Sequence, residues 1–260
     1  MHKTRPAACA GSFYPENPES LAAAIDAMLA QAAGSDLPSP RALIAPHAGY
    51  VYSGQVAAQA YSPLTRCDFS RVILVGPAHR VYFRGIALPE STAFETPMGC
   101  VPVDFPAKLA SLPQIIRSDE AHALEHAHEV QLPFLQAVFE RFSIVPLLVG
   151  AAAPDAVSEM IDLFLDEPET LVVVSSDLSH FHPYHEAQKL DAATVRAILN
   201  LDATLDHEAA CGATPINALL LCAKKRGLKP ALLDMKNSGD TAGDRNRVVG
   251  YASFFFGENP

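Results

Sequence analysis

Three histidines follow three apolar runs of the sequence, each after a short turn. "ALIAPHAG" contains His47, "VILVGPAHR" contains His79, and "LVVVSSDLSHF" contains His180. Short runs rich in Val, Ile and Leu are typical of buried β-strands, and parallel strands end at the same edge of a sheet, where α/β proteins bind ligands. We therefore expect the three imidazoles to converge, although they lie far apart in the chain.

A cysteine is the fourth residue with suitable chemistry. Cys211 lies in "AACGATPINALL", before a predicted helix with Thr214 as N-cap and Pro215 as its first residue. A helix N-terminus is expected to lower the pKa of a thiol, and the thiolate is the form that binds metals. Two neutral imidazoles and one thiolate form a three-ligand site with open positions, which suits Fe, Cu or Zn rather than Mg or Ca. A structural histidine or a core cysteine is the alternative for each residue taken alone.

A second group of polar residues lies in "HALEHAHE", which contains His122, Glu125, His126, His128 and Glu129. On one continuous helix, positions 122, 126 and 129 share a face. The spacing of His126 and Glu129 occurs in carboxylate metal sites of helix bundles, but the sequence has no second helix with the same motif. We interpret Glu125, His126 and Glu129 as groups that line the pocket or orient metal ligands. A solvated polar helix face is the alternative.

Asp177 precedes His180 by three residues in "SSDLSH". A carboxylate at this position can hold an imidazole in one tautomer or accept a proton. His180 and Asp177 are therefore the candidate acid–base pair. The Gly- and Asp-rich segment "NSGDTAGDRNRVVGY" near the end has no phosphate-binding G-x-x-x-x-G-K motif. It is predicted to be a charged turn, with a pocket lid as the alternative.

Composition indicates one globular domain over residues 1–260. Of the 260 residues, 49% are hydrophobic and 18% are charged, and no linker or repeat marks a boundary. The net charge of −10 disfavours nucleic acid as a partner. The sequence has neither an apolar stretch of the ~18 residues that a membrane helix needs nor the apolar core of a signal peptide. Five scattered cysteines then indicate reduced thiols and a cytoplasmic location.

Apolar strands alternate with amphipathic segments along the chain. This pattern predicts an α/β fold, with a mostly parallel or mixed central sheet flanked by helices. A helix is predicted from about 18 to 33, ended by Gly34, and "APDA" at 153–156 is predicted to be a loop. The stretch "ATPINALLLCAKKRG" is predicted to contain a helix with Gly227 as its C-cap.

Eight motifs occur in the order found in one known family. They are "AGSFYP", "IAPHAGYVYSG", "GPAH", "TPMG", "EHAHEVQLPFL", "SSDLSH", "CGATPI" and the closing "SGD…VVGYAS". From about residue 7 to 256 the chain resembles the Memo family, which includes the AmmeMemoRadiSam system protein B. The resemblance implies the fold of class III extradiol dioxygenases, which are non-haem iron enzymes that open catechol rings with O₂.

The resemblance also implies roles for individual residues. His47, His79 and Cys211 match the family's metal ligands, and His180 matches the acid–base histidine of the dioxygenases. Fe(II) is the expected metal, with Cu or Zn as alternatives. The dioxygenases have a carboxylate where this chain has Cys211, and a thiolate favours softer ions, including copper.

Three functions are compatible with these residues. The first is a dioxygenase-like, metal-dependent redox enzyme acting on an unknown small molecule or peptide. AMMECR-type and radical SAM proteins are the partners that the name of the system implies. The second is a non-catalytic binding or adaptor protein that uses the same pocket. The third is a zinc-dependent hydrolase, because two histidines, a cysteine and a water form a workable zinc site.

Overall fold

The computed structural model describes residues 3–32 and 37–258. In these residues the strands are β1 (Thr4–Arg5), β2 (Ala42–Ala45), β3 (Arg71–Pro77), β4 (Ile86–Leu88), β5 (Ala93–Thr96), β6 (Gly99–Pro102), β7 (Ile115–Arg117), β8 (Ser143–Val149), β9 (Thr170–Ser175), β10 (His180–His182), β11 (Lys229–Asn237) and β12 (Val248–Gly257). The α-helices are α1 (Pro18–Gln31), α2 (Tyr50–Tyr61), α3 (Asp119–Ala123), α4 (His126–Glu129), α5 (Leu132–Val138), α6 (Pro154–Asp162), α7 (Tyr184–Leu199) and α8 (Ala213–Arg226). Short 3₁₀ helices cover Ser62–Arg66, Ala107–Ser111 and Ser238–Asp240.

A mixed sheet of nine strands forms the centre of the molecule. Its order is β10-β12-β2-β9-β3-β8-β4-β7, and β11 pairs with β12. The four central strands, β2, β9, β3 and β8, are parallel to one another, whereas β12 and β4 run antiparallel to their neighbours in this group. The carboxyl ends of β2, β3 and β9 therefore meet at one edge, as the sequence predicts.

Both faces of this sheet are buried. On β3, Ile73 and Val75 belong to one apolar core, and Val72 and Leu74 belong to the other. Helices α6, α7 and α8 cover the first face, and α1, α2 and α5 cover the second, together with the β5–β6 hairpin. A strand with two apolar faces is stable only between two such layers, since each face must be removed from water. The predicted single-domain α/β fold with a mixed sheet is confirmed.

Several local predictions are confirmed and others are wrong. Gly227 ends α8 with a left-handed backbone (φ 70°), as expected of a glycine C-cap. The first helix ends at Gln31, and the predicted terminator Gly34 lies outside the described residues. The predicted loop at 153–156 is wrong, because Pro154 begins α6. Proline is well tolerated in the first turn of a helix, where its missing N–H has no intrahelical partner.

The longest strand that sequence reasoning does not identify is β11, which pairs with β12 over most of its length. Charged, apolar and proline residues follow one another irregularly in its sequence, KPALLDMKN, so polar and apolar residues do not alternate as they do in a half-buried strand. The structure contains no helix, within the residues that it describes, that is long and apolar enough to cross a membrane.

Candidate metal centre

Three histidines meet at the carboxyl edge of the parallel strands. His47 follows β2, His79 follows β3, and His126 begins α4. One ring nitrogen from each lies within 4.8 Å of the other two, a separation that one metal ion can bridge. The ring centroids are 5.1 Å apart for His47 and His79, 5.1 Å for His47 and His126, and 4.5 Å for His79 and His126. The expected convergence of His47 and His79 is confirmed.

His126 enters this cluster because the predicted continuous helix is broken. Helix α3 ends at Ala123 and α4 begins at His126, with Glu125 extended between them (φ −81°, ψ 127°). The shared face of positions 122, 126 and 129 therefore does not exist. His122 faces elsewhere, with its Nε2 3.0 Å from the carbonyl oxygen of Ala87. Sequence reasoning treated His126 as a group beside the ligands, whereas its ring is a candidate ligand itself.

The carboxylate of Glu125 organises two of the three rings. Its Oε2 accepts the backbone N–H of His79 at 2.6 Å, and its Oε1 lies 2.9 Å from Nδ1 of the same residue. Oε1 also lies 3.1 Å from Nδ1 of His126 and accepts the backbone N–H of Ala127 at 3.0 Å. Burial by itself raises the pKa of Glu125, but the contacts with the His126 and His79 rings hold it well below the usual range. Glu125 therefore orients these histidines as an anion, as its sequence position suggested.

His47 is the most buried member of the cluster, with 1% of its surface exposed. Its backbone N–H donates to Oδ1 of Asp177 at 2.8 Å, and its Nδ1 lies 2.8 Å from Oγ of Ser175. Burial, and then the charges of His126 and His79, lower the pKa of His47 well below its usual value. The ring is therefore neutral at pH 7, which is the form that binds metals.

The Cys211 thiol lies beside His47, with Sγ 3.3 Å from Nε2. The backbone N–H of Asp177 also donates to this sulfur at 3.3 Å. Helix α8 begins at Ala213 with Gly212 as N-cap, so the predicted start at Thr214 and Pro215 is wrong. Burial, and then the charge of Asp177, raise the pKa of Cys211 to about 12, against the lowering expected from the helix N-terminus. The role of Cys211 as a metal ligand stays a prediction.

The candidate acid–base residues line a cavity next to the cluster. This cavity has a volume of about 510 Å³, and His126, Asp177 and His180 lie in its wall with Phe13 and Tyr52. Burial raises the pKa of Asp177, so its carboxyl group holds a proton to higher pH than usual.

Within the described residues, the carboxyl group of Asp177 accepts the backbone N–H of His47 and makes no hydrogen bond with the His180 ring. Phe181, the neighbour of His180, has a left-handed backbone (φ 65°), which is costly for an aromatic residue. This conformation is a local strain of the type found at functional sites.

The Gly- and Asp-rich segment before β12 forms another part of the same cavity. Gly243, Asp244 and Arg247 lie in its wall. The guanidinium carbon of Arg247 lies 4.9 Å from the centre of the Phe181 ring. The segment therefore borders the pocket, and its opening and closing as a lid stays a hypothesis.

Glu129, which sequence reasoning grouped with the pocket, anchors the N-terminal segment instead. Its carboxylate pairs with Arg5, accepts the backbone N–H of Cys9 at 2.7 Å, and accepts the hydroxyl of Tyr14. Only 4% of the Arg5 side chain and 0% of the Glu129 side chain are exposed. A buried ion pair with this many hydrogen bonds fixes the position of the segment that follows β1.

Comparison with known proteins identifies the family. The family model of Memo-like protein matches residues 5–255. The chain belongs to the Memo family. A MEMO1 family protein from Archaeoglobus fulgidus is 38% identical over 95% of this chain and 97% of its own length. Relatives with the same name from Sulfolobus acidocaldarius and Aquifex aeolicus are 36% and 34% identical, over 96% and 98% of this chain and 98% and 99% of their own lengths.

The residues that match the family model include the whole cluster, namely His47, His79, His126 and Cys211. Two buried polar residues next to this cluster were not identified from the sequence, namely Ser175 and Gln131. A signal for them exists, because a polar residue inside an apolar strand or helix must find a hydrogen-bond partner there.

Proposed function

We propose that this Memo family protein is a metal-dependent redox enzyme with a dioxygenase-like site. The observation that carries the proposal is the meeting of three imidazoles within 4.8 Å at the carboxyl edge of the sheet, beside a cavity. A thiol lies at van der Waals distance from one of them. Imidazole and thiolate are ligands for Fe, Cu and Zn, so the donor atoms fit the metals that the family resemblance implies.

The ligand set has a fixed part and a variable part. His47 and His79 are common to every arrangement, and the third ligand is either Cys211 or His126. A thiolate favours softer ions such as copper, whereas an imidazole suits Fe(II) and Zn as well. Fe(II) is the metal we favour, with Cu or Zn as alternatives. A bound Fe or Cu ion supplies one-electron chemistry with O₂ or with an oxygen-bearing substrate.

The protein's own residues divide the remaining work. Glu125 holds the His79 ring through its Nδ1 atom, so Nε2 of His79 is available to a metal. Its Oε1 also lies 3.1 Å from Nδ1 of His126. His180 lines the cavity and moves a proton to or from the substrate there as a general acid or base. Asp177, protonated to higher pH than usual because of its burial, is the second group that carries a proton there.

One alternative has an observation of its own in favour. Three imidazoles with an open position form a common catalytic zinc site, in which the metal activates a water molecule. The His47, His79 and His126 set matches that donor count. This alternative is a zinc-dependent hydrolase, with His180 as a proton carrier.

Metal analysis of anaerobically purified protein tests the proposal and separates the alternatives. We expect close to one Fe or Cu per chain in the wild type. Loss of metal in Cys211→Ser would identify Cys211 as the third ligand, and retention of metal would identify His126. Cys100→Ser is the matched control, because Cys100 is exposed on β6 and is not among the residues that line the cavity. Stoichiometric Zn with hydrolytic turnover favours the hydrolase. Protein that neither retains nor binds Fe, Cu or Zn on titration contradicts both.

A second variant separates catalysis from binding. His180→Ala should retain metal at the wild-type level and lose turnover of O₂ or substrate by at least about 100-fold, the range of a general acid–base residue. Equal, measurable turnover in both proteins would refute the acid–base role of His180, whereas no turnover by the metal-loaded wild type would point to a binding or adaptor role. The AMMECR-type and radical SAM proteins of the same system are the partners we propose, and co-purification from the source organism tests them.

A further inference from the structure

The hydrogen bonds behind His47 form a closed network whose donors and acceptors can all be assigned. Ser175, at the end of β9, and Gln131, before α5, are each 0% exposed. Oγ of Ser175 is hydrogen-bonded to the carbonyl of Ala127 at 2.6 Å and lies 2.8 Å from Nδ1 of His47. Nε2 of Gln131 lies 2.9 Å from the same oxygen.

The orientation of the Gln131 amide follows from two fixed partners. The carbonyl oxygen of Pro46 lies 2.9 Å from Nε2 and can only accept a hydrogen bond, so the atom facing it must be the amide nitrogen. On its other side, the amide oxygen accepts the hydroxyl of Tyr61 at 2.7 Å. The two N–H groups of Gln131 therefore point to Pro46 and to Ser175.

The protonation of His47 follows in turn from Ser175. Its single hydroxyl proton is directed to the Ala127 carbonyl, which can only accept. Both lone pairs of the hydroxyl are then left for donors, and Gln131 occupies one of them. The other faces Nδ1 of His47, so this nitrogen must carry the proton. Nε2 of His47 is then the unprotonated nitrogen of the ring.

We infer that Ser175 is a positioning residue that holds His47 in the Nδ1–H tautomer and so presents Nε2 to the metal cluster. The inference rests on the proposed function in one respect, namely that the cluster binds a metal. The backbone carbonyls of Pro46 and Ala127 set the direction of the hydrogen bonds in the network. The tautomer of His47 therefore does not depend on a charged group. His79 differs, because the Glu125 carboxylate orients its ring. The two histidines are thus held by different devices, one neutral and one anionic.

The first test measures the tautomer in metal-free protein. Long-range ¹H–¹⁵N spectra of the ¹⁵N-histidine-labelled wild type distinguish a protonated Nδ1 from a protonated Nε2, and His47→Gln identifies the His47 signals. We expect the Nδ1–H pattern for His47. An Nε2–H pattern would overturn the inference whether or not the protein binds metals. If the Nδ1–H pattern is found and no metal binds, the proposed function fails and the tautomer assignment stands.

The second test removes the hydroxyl. In Ser175→Ala, Nδ1–H of His47 loses its acceptor, so we expect the Nδ1–H pattern to weaken or disappear. Zn(II) affinity, measured by competition with a chromophoric chelator, should fall roughly 10–100-fold, the usual effect of removing a partner of a ligating histidine. Ser253→Ala is the matched control, since this serine is equally buried and its hydroxyl has no hydrogen-bond partner among the described residues.

The two readouts in Ser175→Ala decide the role of the serine. A folded variant with the wild-type tautomer and wild-type Zn(II) affinity would refute a positioning role. A variant that loses stability but keeps the tautomer would also refute it, because only packing would then be affected. If Ser175→Ala does not fold, the wild-type spectrum still decides the assignment of the proton.

Discussion

Glu125→Gln is the substitution that should affect the metal centre most selectively. The change preserves the size of the side chain and removes one anionic oxygen. Oε2 of Glu125 accepts the backbone N–H of His79, and Oε1 faces Nδ1 of His79 and of His126 as well as the N–H of Ala127. A glutamine can keep only one of these two oxygens. Its NH₂ group must then face at least one N–H.

The expected magnitude follows from this geometry. The smallest loss occurs when the NH₂ group replaces Oε2, which leaves the part-buried backbone N–H of His79 without its acceptor and costs up to about 1–3 kcal/mol of folding free energy. The hydrogen bond from the His79 ring to the remaining oxygen also loses its ionic character, which makes it about half as strong. We expect metal affinity to fall roughly 10–100-fold, which corresponds to about 1.4–2.8 kcal/mol.

Two measurements check this expectation. Urea unfolding followed by circular dichroism reports the stability, and competition with a chromophoric chelator reports Zn(II) affinity. Glu140→Gln is the matched control, because Glu140 is exposed and lies outside the cluster. A Glu125→Gln protein that is as stable as the wild type and binds Zn(II) within a factor of two would refute the assigned role of this carboxylate.

Three further predictions concern the stability of the fold. Burial lowers the pKa of His122 to about 4. The unfolded chain therefore binds the proton first as pH falls from about 6.5 to 4, and the free energy of unfolding decreases over this range. In urea titrations at pH 7 and pH 4 the wild type should lose about 3 kcal/mol more than His122→Gln, and equal losses would contradict the assignment. Arg5→Met leaves the buried Glu129 carboxylate without its cation and should destabilise the protein by about 3 kcal/mol or more. Adding Glu129→Gln to Arg5→Met should restore part of the lost stability, and no restoration would argue against a stabilising ion pair between Arg5 and Glu129. Gly227→Ala should lower the free energy of unfolding by about 1 kcal/mol in urea, because the φ of Gly227 is 70° and no described residue lies within 4 Å of an added Cβ. Gly227→Asn should cost less, and equal effects of the two substitutions would refute a purely conformational origin.

The fold and half of the metal centre could be predicted from the sequence. Continuous apolar runs such as those of β3, β8 and β9 have one stable environment, the inside of a sheet that is covered on both faces. Once these strands are parallel, the residues that follow β2 and β3 must lie at one edge, and this gives the pair His47 and His79. The position of Glu125 beside His126 indicates a group that lines the pocket or orients metal ligands, with a solvated helix face as the alternative.

The remaining residues required the tertiary structure. The break between α3 and α4 sends His126 into the cluster and His122 away from it, and helical periodicity cannot predict such a break, because Leu124 and Glu125 are good helix formers. The raised pKa of Cys211 also could not be predicted without the tertiary structure. Proximity to a helix start is visible in the sequence, but the burial that outweighs it is not.

The sequence by itself determined which side chains could bind a metal, since residue type is a local property. Its hydrophobic pattern also determined the two strands that His47 and His79 follow. Only the tertiary structure decided which nitrogen of each ring faces the cluster. That choice depends on partners more than 40 positions away, such as Ser175 for His47 and Glu125 for His79. Hydrogen bonds act over about 3 Å, so their pattern exists only after the strands and loops are packed together.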